Sequence, residues 1–193
     1  MCCLFIFSCA QEIEEKPVEP RDYSSFFSEA VSYCKKKKLN QNFFILLDYA
    51  AHSGTNRFMI YDFKQRKVID SFPVSHGCYT APWGQTDTKE KTNLSNVEES
   101  HASSKGKYII TERGVSQWGI NVKYVLDGLE ETNNNARKRF IVLHSWEEVS
   151  DQSIYPKGTP EGWGCPAISN NNLRKLDALL KKQKRKTLLW AID

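Results

Sequence analysis

The hydrophobic pattern changes from helical to strand-like spacing near residue 42. Before that point, apolar residues recur at helical spacing and would form one face of a helix: Phe26, Phe27, Ala30, Val31 and Cys34. Residues 22–25 supply N-cap side chains, so the pattern predicts a helix that continues to about Lys38. We expect Cys34, on the apolar face, to be a core residue.

After residue 42, short apolar runs alternate with polar turns. The runs that we interpret as strands cover residues 43–49, 57–63, 67–74, 107–111, 124–126, 140–143 and 187–192. Strands spaced this closely favour an antiparallel sheet or sandwich over alternating strand–helix units. A further helix is predicted from Ser169 or Asn170 to about Lys184, because Leu173, Leu176 and Leu180 share one face. The pattern therefore predicts a mainly β fold with flanking helices, in which a helical segment (22–41) precedes a single domain (42–193).

Residues 1–21 have the composition of a leader followed by a tether. Residues 1–10 are apolar but far shorter than the roughly 20 residues that span a bilayer. They resemble the end of a bacterial lipoprotein signal, with Cys9 as the lipidated residue, but lack the charged start of a secretory signal. The alternative is the hydrophobic N-terminus of a cytosolic protein. Residues 11–21 contain four glutamates and two prolines without apolar periodicity, which predicts a tether.

Composition and charge are those of an ordinary soluble domain. The chain has 193 residues, 40% of them hydrophobic and 26% charged, with a formal net charge of +4, enough for one well-buried core. Basic residues cluster at 35–38 and 181–186, which we interpret as solvated helix ends; contacts with nucleic acid, anionic lipid or anionic wall polymer are the alternatives. The chain lacks the basic, aromatic-rich motif of RNA-binding sheets, so we predict no nucleic-acid partner.

The cysteine and histidine spacings indicate neither a disulfide framework nor a metal site. Three of the six cysteines lie within the first nine residues, and the other three, Cys34, Cys78 and Cys165, cannot all pair. No CxxC pair or HExxH helix is present, and the four histidines lack metal-ligand spacing. We therefore predict no metal and no cofactor.

The stretch from Phe140 to Asn170 carries the candidate chemistry. An apolar run at 140–143 predicts a buried strand that ends at His144, and after a polar loop Cys165 follows Gly164 in a tight turn. A cysteine is nucleophilic as its thiolate, and a nearby imidazole can take up the thiol proton. Backbone N–H groups of such a turn can face an oxyanion, although Pro166 has none to donate. A structural cysteine beside a half-exposed histidine is the alternative.

Several further motifs occur with this pair in a recognisable order: Leu47-Asp48-Tyr49, His52-Ser53-Gly54, Arg57-Phe58, Val74-Ser75-His76-Gly77, Ser103-Ser104-Lys105-Gly106-Lys107-Tyr108, Asp127-Gly128-Leu129, Asn133 to Arg137, and Trp163-Gly164-Cys165-Pro166-Ala167. Together they resemble the YkuD-like L,D-transpeptidase superfamily, and within it the murein L,D-transpeptidase catalytic domain family. The resemblance covers about residues 42–193. One departure is that Ala167 replaces the arginine or asparagine that often supports the substrate two positions after the cysteine.

The resemblance implies a YkuD-like β-sandwich or barrel and a set of site roles. Cys165 would be the nucleophile and His144 its base, flanked by Gly164, with the main chain of Ser145 orienting the imidazole. Asp127 or Glu147 are the alternatives for that orienting role.

The substrate-side residues implied by the resemblance are His76, Ser104 and Trp163. The substrate would be peptidoglycan stem peptides, cross-linked or trimmed through an acyl-enzyme. The protein would be a monomer in the periplasm or cell envelope, with membrane contact only through an N-terminal lipid. A wall-associated binding or structural lipoprotein that retains the fold without turnover is the alternative function.

Two more expectations can be compared with the structure. An ion pair of imidazolium and thiolate would place the pKa of Cys165 below its ordinary value of about 8.5. The long polar segment 77–102 exceeds the roughly 12–15 residues usual for an unstructured connection, which indicates a functional or a disordered loop.

Overall fold

The computed structural model describes residues 21–193, and most of its regular structure is β. The elements in chain order are α1 (Ser24–Lys36), β1 (Phe43–Asp48), β2 (Phe58–Asp62), β3 (Lys67–Phe72), β4 (Gly106–Val115), β5 (Val122–Gly128), β6 (Val142–Ser145), β7 (Ala167–Ile168), α2 (Asn170–Leu180) and β8 (Thr187–Ile192). The predicted mainly β fold with flanking helices is confirmed. The signal-like segment 1–10 with Cys9, and nearly all of the tether 11–21, lie outside the described residues.

All strands belong to one mixed sheet with the order β3-β2-β1-β8-β4-β5-β6-β7. The expected meander is present, since β1 pairs antiparallel with β2 and β2 with β3. The expectation of purely antiparallel pairing is wrong at two places: β1 with β8, and β6 with β7, are parallel. The last strand inserts between β1 and β4 after the α2 crossover, and local hydrophobic patterns do not reveal such an insertion.

Strand β1 is buried on both faces, which explains its unbroken apolar run. Its odd-numbered residues face an inner core with the α2 leucines, whereas Phe44 and Leu46 face an outer core under α1. Phe27 of α1 stacks on Tyr61 with ring centroids 4.1 Å apart. Central strands covered on both sides lose the period-2 alternation of a half-exposed strand, and β5, which alternates buried and partly buried residues, keeps it.

The helix ends follow from local hydrogen bonding. The α1 helix starts at Ser24, whose N–H donates to the Asp22 carboxylate at 2.9 Å. At α2, the Ser169 side chain is the N-cap and accepts from the Asn172 N–H. No helix within residues 21–193 is long and apolar enough to cross a membrane.

The sheet curls so that its two edges approach each other. The segment that follows β3 bonds to the stretch around β7: Ser75 N–H donates to Ala167 O at 2.8 Å, and Cys78 N–H donates to Gly162 O at 2.8 Å. Gly162 N–H in return donates to His76 O at 2.7 Å. We call these two bonded segments, 75–78 and 162–167, the seam; it gives the sheet the barrel-like closure of a YkuD-like domain.

The strand before the candidate histidine begins later than its apolar run suggests. Strand β6 starts at Val142 and includes His144 and Ser145, whereas Phe140 is 83% exposed and has a left-handed backbone with φ 56°. The prediction of a buried strand that begins at Phe140 is therefore wrong at its start, whereas its end agrees with the structure to within one residue, because β6 ends at Ser145. Hydrophobicity alone did not distinguish a buried strand residue from an exposed turn residue.

Arg57 is the largest fully buried side chain and anchors the start of the long loop. Its guanidinium donates to Val74 O (2.9 Å), Ala51 O (3.0 Å), the Thr92 hydroxyl (3.1 Å) and His76 Nδ1 (2.8 Å). Burial lowers the pKa of Arg57 to about 10, so the side chain stays cationic at neutral pH. Because this buried cation donates to four separate groups and holds them together, Arg57 has a structural role.

We expect Arg57→Leu to lower the free energy of unfolding by roughly 3–5 kcal/mol, because the carbonyls it serves would lose their donor inside the protein. Urea unfolding followed by circular dichroism measures this. The exposed Arg185 provides the control, since Arg185→Leu should change stability by less than about 0.5 kcal/mol. Equal effects of the two substitutions would contradict the assignment.

Candidate active site

The pairing of β6 with β7 brings His144 and Cys165 to one place. His144 lies opposite Ala167 in this parallel pair, and the His144 N–H donates to Pro166 O at 3.4 Å. Cys165 lies two residues before Ala167, at the level of Val142, the first residue of β6. His144, Cys165 and Ala167 line the same surface cavity, which has a volume of about 120 Å³.

The sulfur of Cys165 is held by the backbone that leads into β6. Val142 N–H donates to Sγ at 3.4 Å, and the thiol donates to Phe140 O at 3.7 Å. The left-handed turn at Phe140 presents this carbonyl. Within residues 21–193, the thiol and the His144 ring share no hydrogen bond. Catalytic hydrogen bonds are often long in an empty site and shorten when substrate binds.

The main chain of Ser145 orients the imidazole. His144 Nδ1–H donates to Ser145 O at 3.0 Å, a bond that fixes the proton on Nδ1 and leaves Nε2 as the basic nitrogen. The carboxylate alternatives lie elsewhere: Asp127 pairs with Arg137 at 2.6 Å, and Glu147 is exposed. Of the three candidates for this role, only Ser145 contacts the ring.

Burial decides the resting protonation of the pair. It raises the pKa of the Cys165 thiol, and the Val142 N–H, Arg139 and Lys123 lower that pKa only in part. It also lowers the pKa of His144, against a smaller opposing effect of the Ser145 carbonyl. The expected pre-formed ion pair with a depressed thiol pKa is therefore not what the geometry favours. At neutral pH Cys165 is therefore a thiol and His144 a neutral imidazole.

Gly164 is required by backbone packing beneath the cysteine. Its φ is +97°, and a Cβ at this position would lie 2.5 Å from Ala102 O. Its carbonyl accepts from the Ser103 hydroxyl at 3.0 Å, and Gly77 N–H donates to that hydroxyl at 3.0 Å. The close approach of the long loop therefore requires a glycine before Cys165.

The substrate-side residues predicted from the sequence separate into two groups. Trp163 is 63% exposed and lines the cavity. His76 is fully buried between Arg57 and Thr88, and Ser104 is buried against the Tyr108 hydroxyl at 2.7 Å. Neither lines the cavity, because both side chains are committed to internal hydrogen bonds. Their place is therefore in the support of the long loop rather than in direct contact with the cavity.

Three tryptophans, Trp83, Trp118 and Trp146, are among the cavity residues that sequence reasoning missed, whereas Trp163 was expected there. Trp83, Trp118, Trp146 and Trp163 account for four of the five in the chain and all line this cavity. Trp83 stands in the long polar loop and Trp118 in the polar turn between β4 and β5. A large aromatic residue isolated in a polar segment, with no apolar run to join, was the signal available.

The remaining titratable and thiol groups form no second centre in the part of the chain that the structure describes. Cys34, Cys78 and Cys165 are all free thiols there, with Cys34 buried in the outer core as predicted. No three His, Cys, Asp or Glu side chains among residues 21–193 are grouped to hold a metal ion.

The thiol of Cys165 should react slowly at neutral pH in the free protein. Because its pKa is raised, we expect the rate of iodoacetamide alkylation to rise with pH and to reach its midpoint above the ordinary value of about 8.5. Lys123→Met should move that midpoint higher, since Lys123 lowers the thiol pKa. Lys138→Met, an exposed control, should leave it unchanged. Rapid alkylation with a midpoint near pH 6 would contradict a neutral resting pair.

Gly164→Ala should destabilise the protein by more than about 2 kcal/mol, because a left-handed backbone and a steric clash combine. Gly84→Ala is the matched control: Gly84 also has a positive φ of +78°, but nothing lies within 4 Å of the added Cβ. It should lose only the strain of the left-handed backbone, about 1 kcal/mol. Denaturant midpoints of both variants measure the difference, and equal losses would exclude the clash.

Comparison with known proteins places this geometry in a family. A family model described as the L,D-transpeptidase catalytic domain matches residues 15–190. No curated protein matches the chain. Similar solved structures include Bd1075 from Bdellovibrio bacteriovorus, with 14% identity over 80% of this chain and 48% of that one and a TM-score of 0.45. The helical cell shape determining protein Pgp2 from Campylobacter jejuni has 13% identity over 77% of this chain and 46% of that one, with a TM-score of 0.49.

An L,D-transpeptidase from Xylanimonas cellulosilytica has 9% identity over 83% of this chain and 68% of that one, with a TM-score of 0.39. The chain spans about half the length of the first two structures. The family match extends over most of the chain, including every residue of the site described above. The chain belongs to the L,D-transpeptidase catalytic domain family, a family of peptidoglycan-modifying proteins.

Proposed function

We propose that this protein is a cysteine acyltransferase that acts on peptidoglycan stem peptides through an acyl-enzyme on Cys165. The observation that carries the proposal is the joint position of Cys165 and His144 on one cavity, with His144 Nδ1–H committed to Ser145 O. That bond leaves Nε2 available to accept the thiol proton. Within the family the chain belongs to, such a pair supports acyl transfer rather than a structural role for the cysteine.

The first half-reaction begins from the neutral pair. Cys165 Sγ attacks the carbonyl carbon of the scissile amide while His144 Nε2 takes the thiol proton. The carbon–nitrogen bond then breaks, the leaving amine takes that proton from His144, and a thioester remains on Cys165. Proton transfer during attack suits a site in which burial disfavours a standing thiolate.

The oxyanion that forms during attack needs donors that are not already occupied. The N–H groups of Gly164 and Cys165 donate to no acceptor among the described residues, whereas Pro166 has no N–H. The Cys165 and Gly164 amides are therefore the donors we assign. Preorganised backbone donors of this kind cost no reorganisation during the reaction.

The second half-reaction depends on the acceptor. An amine of another stem peptide attacks the thioester to form a new amide cross-link, or water attacks it to release a trimmed peptide. In both cases His144 takes a proton from the acceptor and returns it to the departing thiolate. The products distinguish cross-linking from trimming, since one joins two peptides and the other shortens one.

An enzyme that acts on peptidoglycan works in the cell envelope, so the proposal includes that location. We include in the proposal that Cys9 is the lipidated residue and that residues 11–21 tether the domain, on the strength of the Ser8-Cys9-Ala10 pattern. The first described residue, Arg21, is fixed at the domain by its ion pair with Asp48 at 3.0 Å. Neither Arg21 nor Asp48 lines the cavity.

Cys165→Ala should abolish turnover of tetrapeptide wall fragments, and His144→Gln should slow acylation by about 10²–10⁴-fold through loss of the general base. Mass spectrometry of the products measures turnover. Intact-mass measurement with a carbapenem-type β-lactam measures acylation, with an adduct expected in the wild type, little in His144→Gln and none in Cys165→Ala.

Cys78→Ala supplies the control, because Cys78 is a free thiol outside the cavity lining. It should keep the adduct and the turnover. Substantial activity in Cys165→Ala, or an adduct that His144→Gln forms as fast as the wild type, would refute the catalytic pair. If the folded wild-type protein shows neither turnover nor an adduct, the non-catalytic wall-binding alternative is favoured.

A further inference from the structure

The cavity beside Cys165 has an aromatic wall built from distant parts of the chain. Trp83, Trp118 and Trp146 come from the long loop, the β4–β5 turn and the residue after β6. Trp83 stacks on Trp146 with centroids 5.0 Å apart, and Trp118 meets each of them at 6.1 Å. We call these three residues the tryptophan wall.

The wall offers exposed ring surface on a buried support. Trp146 is only 6% exposed, whereas Trp83 and Trp118 are 45% and 44% exposed. Large aromatic side chains left nearly half open at a cavity usually mark a binding surface, because burying them within the protein would otherwise be favourable. The exposed ring surfaces of Trp83 and Trp118 are therefore suited to pack against a partner with a flat apolar face.

The segments that carry the two exposed rings are fixed by the backbone. Gly84 N–H donates to Glu161 O at 2.8 Å, and Glu161 N–H donates to Gln85 O at 2.9 Å, so the chain after Trp83 is bonded to the segment just before the seam. On the other side, Ile120 N–H donates to the Ser145 hydroxyl at 3.0 Å. The wall is thus connected to the residue whose carbonyl orients His144.

The charges around the cavity restrict what the wall can bind. His144 and Cys165 are the only ionisable residues in its lining, so the lining has no permanent charge to pair with a carboxylate or an ammonium group. The charged groups that act on the Cys165 thiol are Arg139 and Lys123, both cations. They oppose an ammonium group, which would otherwise suit the face of an indole ring. The wall therefore favours a neutral partner.

We propose that the tryptophan wall binds a pyranose ring of the peptidoglycan glycan, so that the protein prefers stem peptides still attached to sugar. The inference rests on the proposed function. A pyranose is neutral, with a flat face of C–H groups and a rim of hydroxyls, and so matches an exposed indole face with an N–H donor at its edge. The free stem peptide, by contrast, has no such ring to pack against the wall.

The experiment compares two substrates of the same peptide sequence, a disaccharide-tetrapeptide and the free tetrapeptide. We expect the wild type to have a kcat/KM about 10-fold higher for the sugar-bearing substrate, the factor given by about 1.4 kcal/mol. Trp118→Ala and Trp83→Ala should bring this ratio close to one, and Trp118→Phe should retain most of it because a ring face remains. Thermal unfolding verifies that each variant is folded.

Val115→Ala is the matched control, since Val115 is 79% exposed at the start of the same turn but does not line the cavity. It should leave the substrate ratio unchanged. Equal use of the two substrates by the wild type would overturn the proposal while leaving the acyltransferase function intact. So would a preference that both Trp→Ala variants preserve.

A binding measurement decides the question independently of turnover. Titration of the Cys165→Ala protein with chitotetraose, a β-1,4-linked N-acetylglucosamine oligomer, should give saturable quenching of tryptophan fluorescence. The same titration of the Cys165→Ala/Trp118→Ala double variant should show at least about 10-fold weaker binding. If neither peptide substrate is turned over, the proposed function fails, and the chitotetraose result alone decides whether the wall binds sugar. No saturable quenching, or equal affinity in the two proteins, would overturn the sugar site.

Discussion

The seam between segments 75–78 and 162–167 is the constraint on which the rest of the structure depends. One side of the 162–167 segment bonds to the chain that leaves β3, and the other side lies along β6. Cys165 is therefore fixed from two directions, at the place where the two edges of the sheet meet. A cysteine on a free loop would lack this support, whereas backbone hydrogen bonds on both sides hold this segment in place.

A network of buried, hydrogen-bonded polar groups connects Arg57 to Glu161, the residue just before the 162–167 segment of the seam. Arg57 donates to His76 Nδ1, so His76 Nε2–H must donate to the Thr88 hydroxyl, and Thr88 N–H donates to the Glu161 carboxylate at 2.6 Å. Burial holds the pKa of His76 well below its ordinary value, with Arg57 adding to that effect. The histidine thus stays neutral and serves as a connector. Residues that resemble site residues in the sequence here secure the loop on which part of the cavity is built.

Burial of His144 and Cys165 sets their resting protonation states. Because burial disfavours both the thiolate and the imidazolium, Cys165 and His144 rest as a thiol and a neutral imidazole. A resting thiol is also less open to stray alkylation or oxidation than a standing thiolate. The neutral pair and the apolar wall are therefore two results of one property, a cavity with little permanent charge.

The β-rich fold, the two helices and the family resemblance could be predicted from the sequence, which also singled out Cys165 and His144 as the candidate pair. Period and turn residues report whether a segment has one buried face, and a glycine-flanked cysteine after a strand-borne histidine imposes local backbone demands that are visible in the chain. Only the tertiary structure decided the insertion of β8 between β1 and β4, the exposure of Phe140 and the buried position of His76. The tertiary structure was also needed to show that burial raises the pKa of the Cys165 thiol and that Trp83, Trp118 and Trp146 contact one another. Each of these features depends on which segments, distant in sequence, become neighbours in the fold. A local hydrophobic pattern can indicate that a residue is buried, but it does not identify the segments that cover it.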